Sequence, residues 1–411
     1  MVLQKDIFLP VAKLRQSELT LILTLLIVFL VQPLFHYHSP AYAESDNPAQ
    51  TGTPSISIEK NLPHFYSSAK DRITFPLSWL SGNYSDFDSW KAAAKEKVRE
   101  TMLSLPPDVP FDAIVIAEED RGSYTARKIL FNVTADSRIS AYMLIPKGAG
   151  PHPAVLLLHD HGARFDIGKE KVIRPIDDPE KLKSAEEWVN ECYGGRFIGD
   201  ELAKQGYICF ATDMLNWSER GGGGYEGQQA IASNLMYMGM SFAGIIVHED
   251  LRAAEFLSLQ PEVNTKRIAA MGLSVGGHRT WRVTAMSDHI AAGVSICWMT
   301  TIKAQISPGI NITRGNSAYT MLHPGLYNYL DYPDIASIAC PKPLLVYNGL
   351  KDGLFPVPSV KDAYRKMRSV WTSQNAGDKL ETKLWDVPHE FNREMQIEAF
   401  AWLHEMFEKI R

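Results

Sequence analysis

Short, nearly continuous apolar runs punctuate the chain at residues 154–158, 208–211, 268–271, 291–296, 343–347 and 382–385. Such runs predict central strands covered on both faces, because a strand with one wet face would alternate. Upstream, 127–133 and 137–145 predict two strands joined by a short turn at Ala135-Asp136. Helical spacing fills the intervals. Trp90, Ala94, Val98 and Met102 recur within 87–105, which Pro106-Pro107 ends. Val360, Ala363, Tyr364, Met367, Val370 and Trp371 follow Ser359, a candidate cap with Asp362 three residues on. Met395, Ala399, Trp402, Leu403 and Met406 form one stripe of a last helix. Antiparallel strands followed by strand–helix alternation predict an α/β fold. Its expected form is a mostly parallel twisted sheet with helices on both faces and a small N-terminal helical extension. Residues 159–183 and 298–341 exceed ordinary loop length. They leave the carboxyl ends of strands, where open α/β sheets hold ligands. They are expected to wall a pocket, the second as a lid-like insertion before the penultimate strand.

The first 43 residues read differently. Lys5, Lys13 and Arg15 precede the apolar run 19–31, and Ala41-Tyr42-Ala43 offers a cleavage site before Glu44. This is the order of a secretory signal; an uncleaved anchor is the alternative, although the run is shorter than the ~20 residues of a span. The expected organisation is a signal peptide over 1–43, a flexible leader and helical extension over 44–111, and a catalytic domain over 112–411. Such a protein would be secreted or periplasmic, without stable membrane association once the signal is removed. Hydrophobic residues at 45% allow a sizeable core, and a net charge of −5 without long runs lacks the basic face of a nucleic-acid binder. Cys192, Cys209, Cys297 and Cys340 show no C-x-x-C pair, so buried free thiols are expected, although export permits a disulfide.

Gly272-Leu273-Ser274-Val275-Gly276 has the form G-x-S-x-G, with an apolar strand before it and a helical pattern through Trp281, Ala285 and Met286 after it. A Ser on such a strand-to-helix turn stands exposed as a nucleophile, and side chains at its flanks would strike neighbouring backbone. The following helix aims N–H groups and its positive end at a reacting carbonyl. A Ser hydroxyl needs a base, and in this arrangement the chain order is Ser, acid, His. His389 lies in the loop before the last helix, whereas His404 lies inside it. Asp352 follows the penultimate strand and is favoured as the carboxylate that orients the imidazole; Asp386 is the rival, with Asp331 and Asp334 weaker candidates.

For the oxyanion, Val275 N–H is one expected donor, and the loop His159-Asp160-His161-Gly162-Ala163 is expected to supply the other, Ala163 first and Gly162 next. His-Asp-His also raises a metal site, but neighbours on an extended segment point opposite ways, so neither metal nor cofactor is expected. The run 221–224 of four glycines lacks the Lys-Ser/Thr of a phosphate loop and reads as a flexible loop beside the pocket. Trp217 and Arg220, together with Trp298, are candidate substrate contacts, with Glu219 and His323 near them; flat aromatics and polar groups there could grip a sugar.

Taken together, the segments 158–162, 272–277, 348–352 and 388–392 resemble the dienelactone-hydrolase and acetyl-xylan-esterase branch of the α/β hydrolases. The resemblance covers 112–411 and implies the α/β-hydrolase fold. Dienelactone hydrolases proper carry a Cys nucleophile where this chain has Ser274, which turns the expectation from lactones toward ordinary esters. Exported members of the branch remove acetyl or methyl groups from plant polysaccharides, which implies a small-molecule or polysaccharide ester substrate. A sugar-binding scaffold without turnover, or a serine peptidase, would share the same fold.

Overall fold

In a computed structural model the described residues are 62–410, with His64 and Asp177 excepted. The expected signal peptide and most of the expected leader fall outside the described residues. The strands are β1 (Ile114–Asp120), β2 (Tyr124–Thr134), β3 (Ser137–Pro146), β4 (His152–Leu158), β5 (Ile208–Thr212), β6 (Val263–Leu273), β7 (Ala292–Ile296), β8 (Leu344–Gly349) and β9 (Leu380–Trp385). They form one sheet in the order β1-β2-β3-β5-β4-β6-β7-β8-β9. Pairing is antiparallel from β1 to β5 and parallel from β5 to β9.

The continuous apolar runs have the expected cause. In β4, Val155 and Leu157 join one core, while Ala154, Leu156 and Leu158 join another. In β6, Ala269 and Met271 face the first core and Ile268 and Ala270 the second. Both faces are therefore covered by helices. On one lie α3 (Pro179–Cys192), α4 (Ile198–Lys204) and α11 (Arg393–Lys409). On the other lie α2 (Phe87–Met102), α6 (Phe242–Ser258), α7 (Val275–Met286), α9 (Tyr332–Ser337) and α10 (Val357–Ser373). Short helices α1 (Tyr66–Asp71) and α8 (Ile302–Gln305), together with α5 (Gly224–Tyr237), complete the set. Among the described residues, no helix is long and apolar enough to cross a membrane.

Two elements differ from expectation. Strand β1 is not among the expected elements: its β-branched run Ile114-Val115-Ile116 lies on an edge strand and stands about half exposed, at 49%, 52% and 46%, unlike the runs buried on both faces. Helix α10 starts two residues before Ser359. Its first turn carries Pro358, and the Ser359 hydroxyl donates to Pro356 O (2.7 Å) instead of capping. All four cysteines are buried and unpaired.

Candidate active site

Strand β6 stays apolar to Leu273 and α7 begins at Val275, so Ser274 alone makes the turn between them. Its backbone sits at φ 58°, ψ −127°, a conformation that costs a residue with a side chain roughly 1–3 kcal/mol. Ser274 N–H donates to Ile296 O at 2.8 Å and ties the turn to β7. The flanking glycines make the tightness sterically feasible. A Cβ on Gly272 would lie 2.4 Å from Leu158 O, and one on Gly276 only 1.9 Å from the same atom. Val275 N–H, first in its helix, has no intrahelical acceptor to reach.

The loops after β8 and β9 bring the other two side chains together. His389 Nδ1 lies 2.6 Å from Asp352 Oδ2, while Asp352 Oδ1 accepts from Leu354 N–H at 3.0 Å. Asp352 is buried and His389 partly exposed. A carboxylate at Nδ1 holds that nitrogen protonated and leaves Nε2 as the acceptor. Gly349 lets the two loops meet, since a Cβ there would sit 2.4 Å from Val387 O. The rival Asp386 is on the surface, paired with Lys351 at 3.0 Å, and Asp331 and Asp334 are spent on the capping box of α9. Ser274 and His389 line one pocket of about 190 Å³, with Gly162, Ala163 and Val275. Cys297 lies behind the pair, with its thiol, Asp352 and His389 offering atoms within 4.8 Å of one another. That thiol donates to Glu390 O at 3.4 Å, and burial pushes its pKa up. It is thus a protonated thiol and a poor metal ligand.

The loop after β4 is held from below. His159 contacts Asp160 O through Nδ1 (2.8 Å) and accepts from Met214 N–H at Nε2 (3.0 Å). Asp160 Oδ2 accepts from Tyr193 OH (2.7 Å) and Trp188 Nε1 (3.1 Å). His159, Asp160 and His161 thus face separate partners and share no point at which an ion could sit. Ala163, at φ 53°, donates its N–H to His161 Nδ1 at 3.1 Å. In this arrangement the oxyanion donor expected first from the sequence is already engaged. With Nδ1 accepting, His161 carries its proton on Nε2, which lies 2.8 Å from Gln228 Nε2; an amide with its O and N exchanged would present Oε1 to that proton. Burial pushes the His161 pKa down to about 4 and keeps the ring neutral. Gly162 lines the pocket, and among the described residues nothing accepts from its N–H.

Of the three expected substrate contacts, Trp298 lines the pocket and the other two do not. Trp217 is fully buried beneath the loop, stacked on Phe165 and donating Nε1–H to His161 O at 3.1 Å. Arg220 is a correction of the same kind. Its guanidinium holds both oxygens of Glu249, at 2.6 and 2.7 Å, and also Asp213 O and Ser137 Oγ. Both follow the end of β5, and their contacts are with other parts of the protein: Trp217 with the 159–163 loop and Phe165, Arg220 with Glu249, Asp213 and Ser137. Glu219 pairs with Lys128 and Lys169, which hold its pKa down to about 2, and His323 is buried against Arg282. Sequence reasoning missed Tyr225, Leu354 and Phe355 as pocket walls. For Tyr225 the signal was available: it directly follows the four glycines, which turn the chain sharply enough to present it.

A family profile, that of the Abhydrolase family, matches residues 75–374. The chain belongs to the Abhydrolase family. The Abhydrolase match begins ahead of residue 112 and takes in α2 as well as strands β1 to β8. YtaP of Bacillus subtilis (strain 168), named as a hydrolase, is 26% identical over 289 residues, which are 70% of this chain and 90% of that one. Among solved structures, a Bacteroides fragilis protein named as an acetyl xylan esterase matches with a TM-score of 0.62 at 17% identity, over 82% of this chain and 88% of its own. A glucuronoyl esterase from Solibacter usitatus matches with a TM-score of 0.57 at 12% identity, over 89% and 100% of the two chains. At these identities the structural likeness shows the fold, which is the α/β-hydrolase fold.

Proposed function

We propose that this Abhydrolase-family protein is an exported serine esterase that cleaves acetyl or methyl esters on a carbohydrate through an acyl-enzyme intermediate. The reading is carried by one observation: the Asp352–His389 contact of 2.6 Å opens onto the pocket that Ser274 lines. Ser274 Oγ attacks the ester carbonyl while His389 Nε2 takes its proton. The same nitrogen returns the proton to the departing alkoxide, leaving an acyl-Ser274 ester and a free alcohol. Water, deprotonated by His389, then attacks the acyl carbon and releases the acid and the serine. Asp352 holds the imidazole in the reactive tautomer and stabilises its cation. Val275 N–H is one oxyanion donor. Gly162 N–H is the better second donor, because Ala163 N–H is turned to His161. Trp298, Tyr225 and Phe355 give the pocket flat apolar walls, suited to a short acyl group or a sugar face. The solved structures of similar fold named for acetyl xylan and glucuronoyl ester cleavage support a carbohydrate ester as substrate.

Ser274→Ala should abolish turnover of 4-nitrophenyl acetate and of acetylated xylan while leaving the melting temperature near that of the parent. A fluorophosphonate should label the parent at Ser274 alone. Unchanged turnover in the variant, or a parent inert to the probe, rejects the assignment.

A further inference from the structure

We infer that Lys171 is a positioning residue for the oxyanion site, aiming the Gly162 N–H through the backbone it grips. This rests on the esterase reading above. Lys171 is completely buried, although its sequence context, Gly-Lys-Glu-Lys over 168–171, looks like a solvated stretch. Its Nζ donates to Asp160 O at 3.1 Å and to His161 O at 2.8 Å. A second donor, Trp217 Nε1, reaches the same His161 oxygen at 3.1 Å. Two residues before His161, Arg279 Nη1 donates to His159 O at 3.2 Å, and that guanidinium is fixed by Asp250 at 2.6 and 2.9 Å.

Three successive carbonyls are thus drawn inward by buried cations. In a trans peptide the carbonyl and the next N–H point in opposite directions. Holding His161 O against Lys171 therefore turns the Gly162 N–H away from the interior, and Gly162 lines the pocket. Gly162 must lack a side chain here, since a Cβ would fall 2.5 Å from the Trp188 ring at a φ of +57°. Asp160, whose Oδ1 is 3.6 Å from Lys171 Nζ, keeps the buried charge compensated. Hydrogen bonding at a carbonyl also polarises its amide and strengthens the N–H as a donor. Donors aimed in advance at the developing oxyanion act on the transition state more than on bound ester. The expected signature of Lys171 is therefore in kcat and not in KM.

The test uses the full-length protein with 4-nitrophenyl acetate and phenylboronic acid, whose serine adduct is tetrahedral. Lys171→Met should lower kcat about 10- to 100-fold, less than the roughly 100- to 1000-fold of losing one oxyanion donor outright because the donor is misaimed and not removed, with KM within about twofold. Boronate affinity should fall in parallel with kcat/KM. Lys171→Arg, which keeps the charge and two donors, should recover most of the loss. Should Lys171→Met not fold, Trp217→Phe removes the other donor to His161 O and should show a smaller loss with the same pattern. Wild-type kcat in a folded Lys171→Met, or in Trp217→Phe, overturns the inference, as does a loss confined to KM. A parent that neither hydrolyses the ester nor takes a fluorophosphonate would instead fail the esterase reading.

Discussion

Gly276→Ala is the sharpest perturbation of the turn that presents Ser274. The new Cβ would stand 1.9 Å from Leu158 O, 2.9 Å from Leu158 C and 3.1 Å from His159 O, all main-chain atoms. Real Cβ atoms keep about 3 Å from such neighbours, so no rotation of a side chain relieves the clash. The start of α7 must shift by roughly an ångström away from β4, or β4 must give way. Overpacking of this kind costs about 1–3 kcal/mol. The same shift carries Ser274 and Val275 N–H away from the loop holding Gly162, and a misplacement of about 1 Å lowers turnover roughly 100-fold. Urea unfolding and kcat for 4-nitrophenyl acetate read the two effects separately. Gly377→Ala serves as control, because a Cβ there would meet only Thr372 Oγ1 at 3.6 Å; it should change stability by less than about 0.5 kcal/mol. A Gly276→Ala protein with parental stability and kcat would refute the claim that this turn is packed against Leu158.

Two further outcomes follow from buried charge. Arg220→Ala strands Glu249 without its bidentate partner and should cost about 3–5 kcal/mol in a urea titration while leaving KM nearly unchanged; a KM effect without destabilisation would restore Arg220 as a substrate contact. His161, pushed by burial to about 4, stays neutral in the folded state while an unfolded His binds a proton near 6.5. Its contribution is complete above about pH 6.5 and lost as pH falls through 4, a difference of roughly 3 kcal/mol at 1.36 kcal/mol per unit. Buried Asp213 and Asp334, both raised by burial to about 6, bind protons in the folded state and act in the opposite direction. The comparison is therefore between parent and His161→Gln across pH 7 to 4, where the variant should lose less stability on acidification; parallel curves would contradict it.

Much of this was readable in the chain. The strand β6, the glycines around Ser274 and the loop positions of Asp352 and His389 follow from short-range rules: steric need at a turn, and apolar runs that mark both-sided burial. The structure brings Asp352 and His389 together, as the order of elements required. What eluded the sequence depends on which way a loop side chain turns. Trp217 and Arg220 follow a strand end, as pocket residues do, yet Trp217 folds beneath the 159–163 loop and Arg220 turns to Glu249. The competition between Ala163 and Gly162 is decided by the His161 ring, a local contact that no spacing rule specifies. Lys171 was invisible because a lysine among charged neighbours ordinarily reads as surface.

Five of the fourteen residues around the pocket (Trp298, Gln305, Ile312, Ser317 and Met321) come from the segment between β7 and β8. Ser274, Asp352, His389 and the 159–163 loop all lie outside it. One part of the pocket wall is therefore separable along the chain from Ser274, Asp352 and His389, while Tyr225, Leu354 and Phe355 belong to other segments. On the proposed esterase reading, exchange of that one segment between relatives would change part of the pocket wall while Ser274, Asp352 and His389 stay as they are.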